Sequence, residues 1–356
     1  MATIYDVAKL ASVAPKTVAR ALNGDGPVKK ETRERIAEAV RIVGYVPSQA
    51  ARSMRSNKSG LVGLITGAIS GTPDDFASMG LPDIYIVQGV QRALTESDLT
   101  LLISDTGGRL DRAPALLRTF QEHRVEGLIY VAPHHQKVAL PDTLGALPVV
   151  LVNCFDDAGT AAVVPDDEAG QYTLVAKLIA FGHRRIAYLT LKQDMVAHKL
   201  RLTGYKRALR AAGIAYDPAL VTLGEGEGER ETSVLADGIG HLFALKHRPS
   251  VLCCGNDRLA LKVYGMLRSR GCRVPDDVGV AGYDDHQMIS KTLFPPLTTA
   301  ELPYAAMGAR AAEVLLGLIK GNKRESASLA IKVGGAVKWR QSVLSLEAKV
   351  KTLKGA

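Results

Sequence analysis

From Leu61 onward the chain alternates short apolar runs with amphipathic stretches, and it does so in two successive series. The first reads LVGLITGA, QGVQRALTES, LTLLISD, APALLRTFQEH, EGLIYVAP and PVVLVN. The second reads EAGQYTLVAKLIAFG, RRIAYLT, RLTGYKRALRAAG, PSVLCCGN, RLALKVYGMLRSRG and VGVAGYD. Continuous Val/Ile/Leu runs are strands buried on both faces, and the stretches between them carry apolar residues at helical spacing. Strand–helix alternation of this kind builds parallel sheets, so the body is α/β with two doubly wound halves. Such halves hold ligands at the carboxyl ends of their strands, here in a cleft between two lobes.

The first 60 residues follow another pattern. In TIYDVAKLASVAPKTVARALN, Ile4, Val7, Ala8, Leu10 and Ala11 recur at helical spacing behind the capping candidate Thr3, with Asp6 in the first turn. Pro15 opens a second short helix whose apolar face is Val18, Ala21 and Leu22, and Asn23-Gly24 ends it. Lys29 to Gly44 reads as a third amphipathic helix, which completes a compact helix-turn-helix unit. The second helix would enter the major groove, with Pro15, Lys16 and Arg20 facing base edges.

Charge agrees with that division. Residues 1–60 hold 11 Lys/Arg against 5 Asp/Glu, a net of +6 out of +9, which leaves +3 for the remaining 296 residues. A basic head on a near-neutral body points to a polyanion partner for the head alone.

The stretch TIYDVAKLASVAPKTVARALNGDGPVKKETRERIAEAVRIVGYVPSQAARSMRS resembles the headpiece of the lactose-repressor/galactose-repressor family of transcriptional regulators. FGHRRIAYLT, KLRLTGYKRAL, GNDRLALKVYGML, VPDDVGVAGYDD and PPLTTAELPYAAMGARAAEVLL extend the likeness to about Arg340, where it parallels periplasmic sugar-binding proteins. The resemblance implies a headpiece over 1–46, a hinge over 47–60, and a two-lobed effector and dimerisation domain over 61–340 with a tail at 341–356. Lobe one would comprise about 61–162 and 300–323, and lobe two 163–299 and 324–340. It also implies phosphate contacts from Thr3, Tyr5, Thr17, Asn23 and Thr32. Ala51 and Met54 would lie on a hinge helix that forms on the operator, Met54 wedging into the minor groove where leucine is usual. Ala14 and Ala19 stand where the family has serine, and each lacks a hydroxyl that could bind phosphate. Ser48 replaces a common asparagine, and phosphate affinity would then lean on Lys29, Lys30 and Arg52.

In the cleft, a sugar needs carboxylate, amide and guanidinium groups against apolar walls. Polar residues at strand ends are the ligand candidates, and Asn153, Arg201, Asn256, Asp257 and Asp284 qualify; the resemblance places Arg201, Asn256 and Asp284 on the family's effector positions. Tyr85 follows a long connection at 71–83 containing Phe76, so it is a further candidate, while Tyr283 and Tyr304 could stack on a ring. Asp257 and Asp285 read as turn-capping residues at least as readily as ligand contacts.

The expected molecule is a homodimeric, cytoplasmic repressor that binds palindromic operator DNA and answers to a small molecule, most simply a carbohydrate. A sugar-transport protein would share the body but not the DNA-reading head. An enzyme would need a catalytic constellation, and neither a GxSxG elbow nor another activated nucleophile occurs. The run GEGEGE at 224–229 reads as a surface loop without a P-loop lysine. His134, His135, His183, His198, His241 and His286 lack metal-ligand spacing, so no metal or cofactor is expected. Four sparse cysteines suit a reducing compartment, no apolar run reaches a membrane span, and the start lacks a signal region. Leu346, Val350 and Leu353 make about one heptad, too little for tetramerisation.

Overall fold

The computed structural model describes residues 2–24, 26–46, 58–67, 81–107, 109–140, 144–226, 231–322 and 330–346. In the head, α1 (Ile4–Leu10), α2 (Pro15–Asn23) and α3 (Lys30–Val43) follow the apolar spacing closely. Thr3 and Asp6 form a reciprocal capping box at the start of α1, the Thr3 amide donating to the Asp6 carboxylate at 2.8 Å. Gly24 and Gly44 end α2 and α3 in the left-handed region, at φ +73° and +63°, where a β-carbon would strain the turn. Val7, Ala8, Ala11, Val18, Ile36 and Ala39 meet in a small core. Its modest size leaves the outer face of α2 in solvent.

The body starts with β1 (Leu61–Thr66), α4 (Leu81–Leu94), β2 (Thr100–Asp105), α5 (Ala113–Glu122), β3 (Gly127–Lys137), β4 (Val149–Phe155) and β5 (Ala161–Pro165). It continues through α6 (Asp167–Ala180), β6 (Ile186–Thr190), α7 (Val196–Ala211), β7 (Val221–Leu223), α8 (Glu231–Ala244), β8 (Val251–Cys254), α9 (Asp257–Ser269) and β9 (Gly279–Asp284). It ends with α10 (Gln287–Ser290), β10 (Thr298–Glu301), α11 (Tyr304–Ile319), β11 (Ile331–Val333) and β12 (Val337–Lys338).

Two six-stranded sheets result. The first runs β11-β5-β4-β3-β1-β2, all parallel, and the second β12-β10-β9-β8-β6-β7, parallel except for the β10–β12 pair. Strand residues such as Leu64, Ile129, Val150, Ala187, Leu252 and Val280 are fully buried, as sheets covered on both faces require. Each sheet reverses its winding once, between β2 and β3 about β1 and between β7 and β8 about β6, and these reversals open crevices at the strands' carboxyl ends.

The lobe boundaries differ from expectation in three places. The segment 324–340, expected wholly in the second lobe, contributes β11 to the first sheet, where Ile331 and Val333 pair with Val163 and Pro165. The half-buried apolar side chains of Ile331 and Val333 extend the first core, and only β12 returns to the second sheet. Likewise β5 carries the first lobe on to Pro165, and β10 keeps Ala300 and Glu301 in the second. Among the described residues no helix is long and apolar enough to cross a membrane.

Candidate functional site

On the head, Lys16 and Arg20 lie four residues apart on the exposed face of α2, while Val18 and Ala19 face inward. Pro15 occupies the first helical turn, and Ala14 caps α2 without a side-chain bond. The first amides of α2 therefore point outward together with a helix-end dipole, which favours an anion. Tyr5 is 71% exposed, and Asn23 is exposed too, whereas Thr17 and Thr32 are half-buried. The Thr3 hydroxyl already donates to the Asp6 carboxylate at 2.7 Å, so a phosphate would have to compete for it. Ala19 is buried on α2, whereas Ala14 is exposed. Ser48, Ala51, Arg52 and Met54 lie outside the described residues, as does Phe76.

In the body, the second sheet assembles a polar cluster at its carboxyl edge. Arg201, on α7, is 3% exposed. Its Nε donates to Asp167 Oδ1 at 2.7 Å, its Nη1 donates to the Gly255 carbonyl at 2.5 Å, and Asp284 Oδ1 lies 3.6 Å from Nη1. The guanidinium also lies 3.7 Å from the centroid of the Tyr283 ring, a stacked cation–π contact. Backbones must approach closely to allow this. A β-carbon at Gly204 would collide with the Glu168 carbonyl, and one at Gly170 with the Tyr283 hydroxyl, so these two glycines let α6, α7 and β9 converge.

Asp167 is fully buried and is the first residue of α6. Its second carboxylate oxygen lies 2.8 Å from Nδ1 of His135, which comes from β3 in the other lobe. Burial works against ionisation of Asp167, but the Arg201 charge and the His135 bond outweigh it and hold the carboxyl below its ordinary range. Burial pushes Asp284 the other way, to about 7, although Arg201 and Arg258 pull it down. Asp284 and Asp285 have φ of +119° and +51°, and Asn153 has +59°. Non-glycine residues in this region cost about 1–3 kcal/mol each and gather where a structure aims side chains for use.

The sequence candidates fare unequally. Arg201 and Asp284 come together, Asp284 from the end of β9 but Arg201 from within α7 rather than from a strand end. Asn256 caps α9 by accepting from the Leu259 amide at 2.7 Å, and its Nδ2 donates to Glu225 at 2.9 Å, so it is both cap and cluster member. Asn153 is buried in lobe one and donates to the Ala132 carbonyl at 3.1 Å, while Tyr85 is half-exposed on α4; neither bonds to the cluster among the described residues. Asp257 and Asp285 are structural ties. Asp257 accepts from Thr299 Oγ1 and the His286 amide, and burial together with neighbouring Asp284 raises its carboxyl well above the ordinary value. Asp285 accepts from Ser290 and Arg340.

The run beginning at Gly224 is not simply a surface loop. Gly224 and Gly226 are buried, and Glu225 reaches the Asn256 amide. His135 and Asp167 were missed. The clue for Asp167 was the acidic run Asp166-Asp167-Glu168 opening a helix, but nothing local marks His135 as its partner.

Comparison with known proteins follows the same division. The model of the bacterial regulatory proteins, lacI family, matches residues 3–48, and that of the periplasmic binding protein-like domain matches 175–343. The HTH-type transcriptional repressor PurR of Aliivibrio salmonicida is 33% identical over 329 residues, 91% of this chain and 94% of its own. The ribose operon repressor of Haemophilus influenzae is 30% identical over 98% of this chain and 100% of its own. A solved complex of the transcriptional regulator CelR with cellobiose superposes with a TM-score of 0.64 at 27% identity, covering 96% of this chain and 100% of that one. At such identity along nine-tenths of its length, the chain belongs to the lacI family of bacterial regulatory proteins and is a DNA-binding transcriptional repressor rather than an enzyme.

Proposed function

We propose that the chain works in the cytoplasm as a homodimer whose two heads read a palindromic operator, and that a sugar or sugar derivative in the interlobe cleft sets operator affinity. The observation that carries this reading is the pairing of buried Arg201 with half-buried Asp284, itself held at φ +119°, at the carboxyl edge of the second sheet, in a chain that also bears a basic helix-turn-helix. Arg201 offers planar donors and Asp284 offers acceptors to ligand hydroxyls, with the Asn256 amide beside them. The ribose operon repressor and the cellobiose complex among the relatives support a carbohydrate. In the head, Lys16 and Arg20 pair with base edges; Tyr5, Thr17, Asn23 and Thr32 hold phosphates, with Thr3 where its bond to Asp6 yields; Met54 acts from the hinge. The head spans 1–46, the hinge 47–60 and the effector domain 61–340.

For dimerisation, Phe294 is 91% and Met288 65% exposed on the second lobe, apolar side chains that a partner subunit would cover. The reading is tested by titrating sugars into full-length protein bound to operator in a gel shift. A sugar that changes operator affinity in the wild type but not in Asp284→Ala supports it. A response retained in full by Asp284→Ala would remove the cleft from the mechanism.

A further inference from the structure

Arg201 lies at the centre of the cleft cluster, yet it is already neutralised. Its Nε is committed to Asp167, its Nη1 to the Gly255 carbonyl and the Asp284 carboxylate, and its face to Tyr283. A site built for a phosphate or carboxylate keeps the guanidinium fork open and uncompensated. Here Asp167 and Glu225 add negative charge around Asp284, with Arg258 the one opposing cation beside Arg201 among the described groups that act on it. Glu225 lies on the Asn256 amide, and its field, with that of Asp167, falls on Asp284. An anion entering the cleft would meet a compensated cation flanked by carboxylates, whereas hydroxyls would find acceptors.

Asp167 cannot touch a ligand itself, because it is fully buried and both its oxygens are engaged, one by Arg201 and the other by His135. We propose that Asp167 sets the charge selectivity of the effector cleft: by neutralising Arg201 from behind, it tunes the cleft to uncharged ligands against their phosphorylated or carboxylated counterparts. Asp167 is thus a positioning residue that acts through Arg201. The inference rests on the reading of the cleft as the effector site.

Matched pairs test it by calorimetry on the full chain: ribose with ribose 5-phosphate, glucose with glucose 6-phosphate and with gluconate, and inorganic phosphate as a bare anion. The wild type binds the uncharged member of a pair at least about tenfold more tightly. Asp167→Asn keeps the shape and one acceptor oxygen for Arg201, presents an amide donor in place of the second oxygen toward His135, and removes the charge. It shifts that ratio about tenfold or more toward the anion, and it gains a saturable phosphate heat over the wild type, which a purely structural role would not produce.

A wild type that prefers the phosphorylated or carboxylated member overturns the inference whatever the variant does. So does a folded Asp167→Asn protein, checked by circular dichroism, whose pair ratio and phosphate response match the wild type. Should none of the sugars bind, the phosphate difference between wild type and variant decides alone. Ligand binding that responds to Asp284→Asn but not to Asp167→Asn sinks this inference and spares the cleft, while binding indifferent to both sinks the two together.

Discussion

His135 on β3 of the first lobe lies 2.8 Å from Asp167 at the start of α6 in the second, and that same carboxylate grips Arg201 at 2.7 Å. A polar chain therefore runs from lobe one through Asp167 to the guanidinium that faces Asp284. On the proposed reading of the cleft, a ligand that draws Arg201 toward itself would pull on the bond between the lobes. Coupling between a cleft and a distant head needs an element with two arrangements, and a bond between lobes is one such element.

His135→Ala removes that bond and leaves one oxygen of a buried carboxylate without its partner. The expected loss is about 1–3 kcal/mol of stability, since an unmet buried acceptor costs its desolvation. Urea unfolding followed by circular dichroism measures it. A midpoint equal to that of the wild type would mean that solvent or a neighbour replaces His135 at no cost.

The contrast between what local pattern reveals and what it hides is plain in particular elements. Thr3, Pro15, Gly24 and Gly44 mark the head's helix ends because caps and turns are decided by adjacent residues. The Val/Ile/Leu runs mark β1, β4, β6 and β8 for the same reason. Helix α4 was legible only from Gln88, because Ile84, Tyr85, Ile86 and Val87 favour a strand. Its helix is imposed from outside, where Gly89 and Gly308 let it lie backbone to backbone on α11. Helix α8 went unread, with Gly238 and Gly240 weakening its pattern, and β11 is too short to declare its sheet. In the cleft, Arg201 and Asp284 were visible through their motifs, but the His135–Asp167 contact and the Glu225–Asn256 bond join residues more than 30 positions apart. Only the fold brings them together.

Phe294 leaves nearly all of its ring in solvent on the second lobe. Phe294→Asp would place a charge in the proposed subunit interface and raise the dimer dissociation constant by about a hundredfold, in the range of an aromatic anchor. Sedimentation velocity over a concentration series reads the outcome. A variant that dimerises as the wild type does would move the interface elsewhere.

Lys16→Ala and Arg20→Ala should each cost about 1–3 kcal/mol of operator affinity, roughly ten- to hundredfold, through lost base contacts. Neither side chain packs in the head's core, so the fold should survive both changes. Gel shifts at fixed salt, on operator and on random DNA, separate the roles. A loss confined to the operator marks a base reader, whereas equal losses on both DNAs would reassign the residue to phosphate.

Asp284 ties the cleft to pH. Burial raises its carboxyl to about 7 despite the pull of Arg201 and Arg258, so the folded protein holds this proton more tightly than the unfolded chain does. The stabilisation from that proton is complete below about pH 4 and is lost as pH rises through about 7, by at most about 4 kcal/mol. Asp167 contributes with the opposite sign in a different window. Its pKa lies below the ordinary value, so its stabilisation disappears only as the solution becomes more acidic than about pH 4. Between pH 5 and 8 the ionisation of Asp284, together with its neighbour Asp257 whose carboxyl is also raised, should therefore cost the body stability, and Asp284→Asn should reduce the slope. Ligand binding should run the other way, because an ionised carboxylate accepts from hydroxyls about twice as strongly as a neutral group. Sugar affinity should rise from pH 6 to 8, and calorimetry at half-unit steps would show it. A flat wild-type profile would exclude Asp284 as the acceptor, and a slope that persists in Asp284→Asn would assign the proton to another group at the cleft.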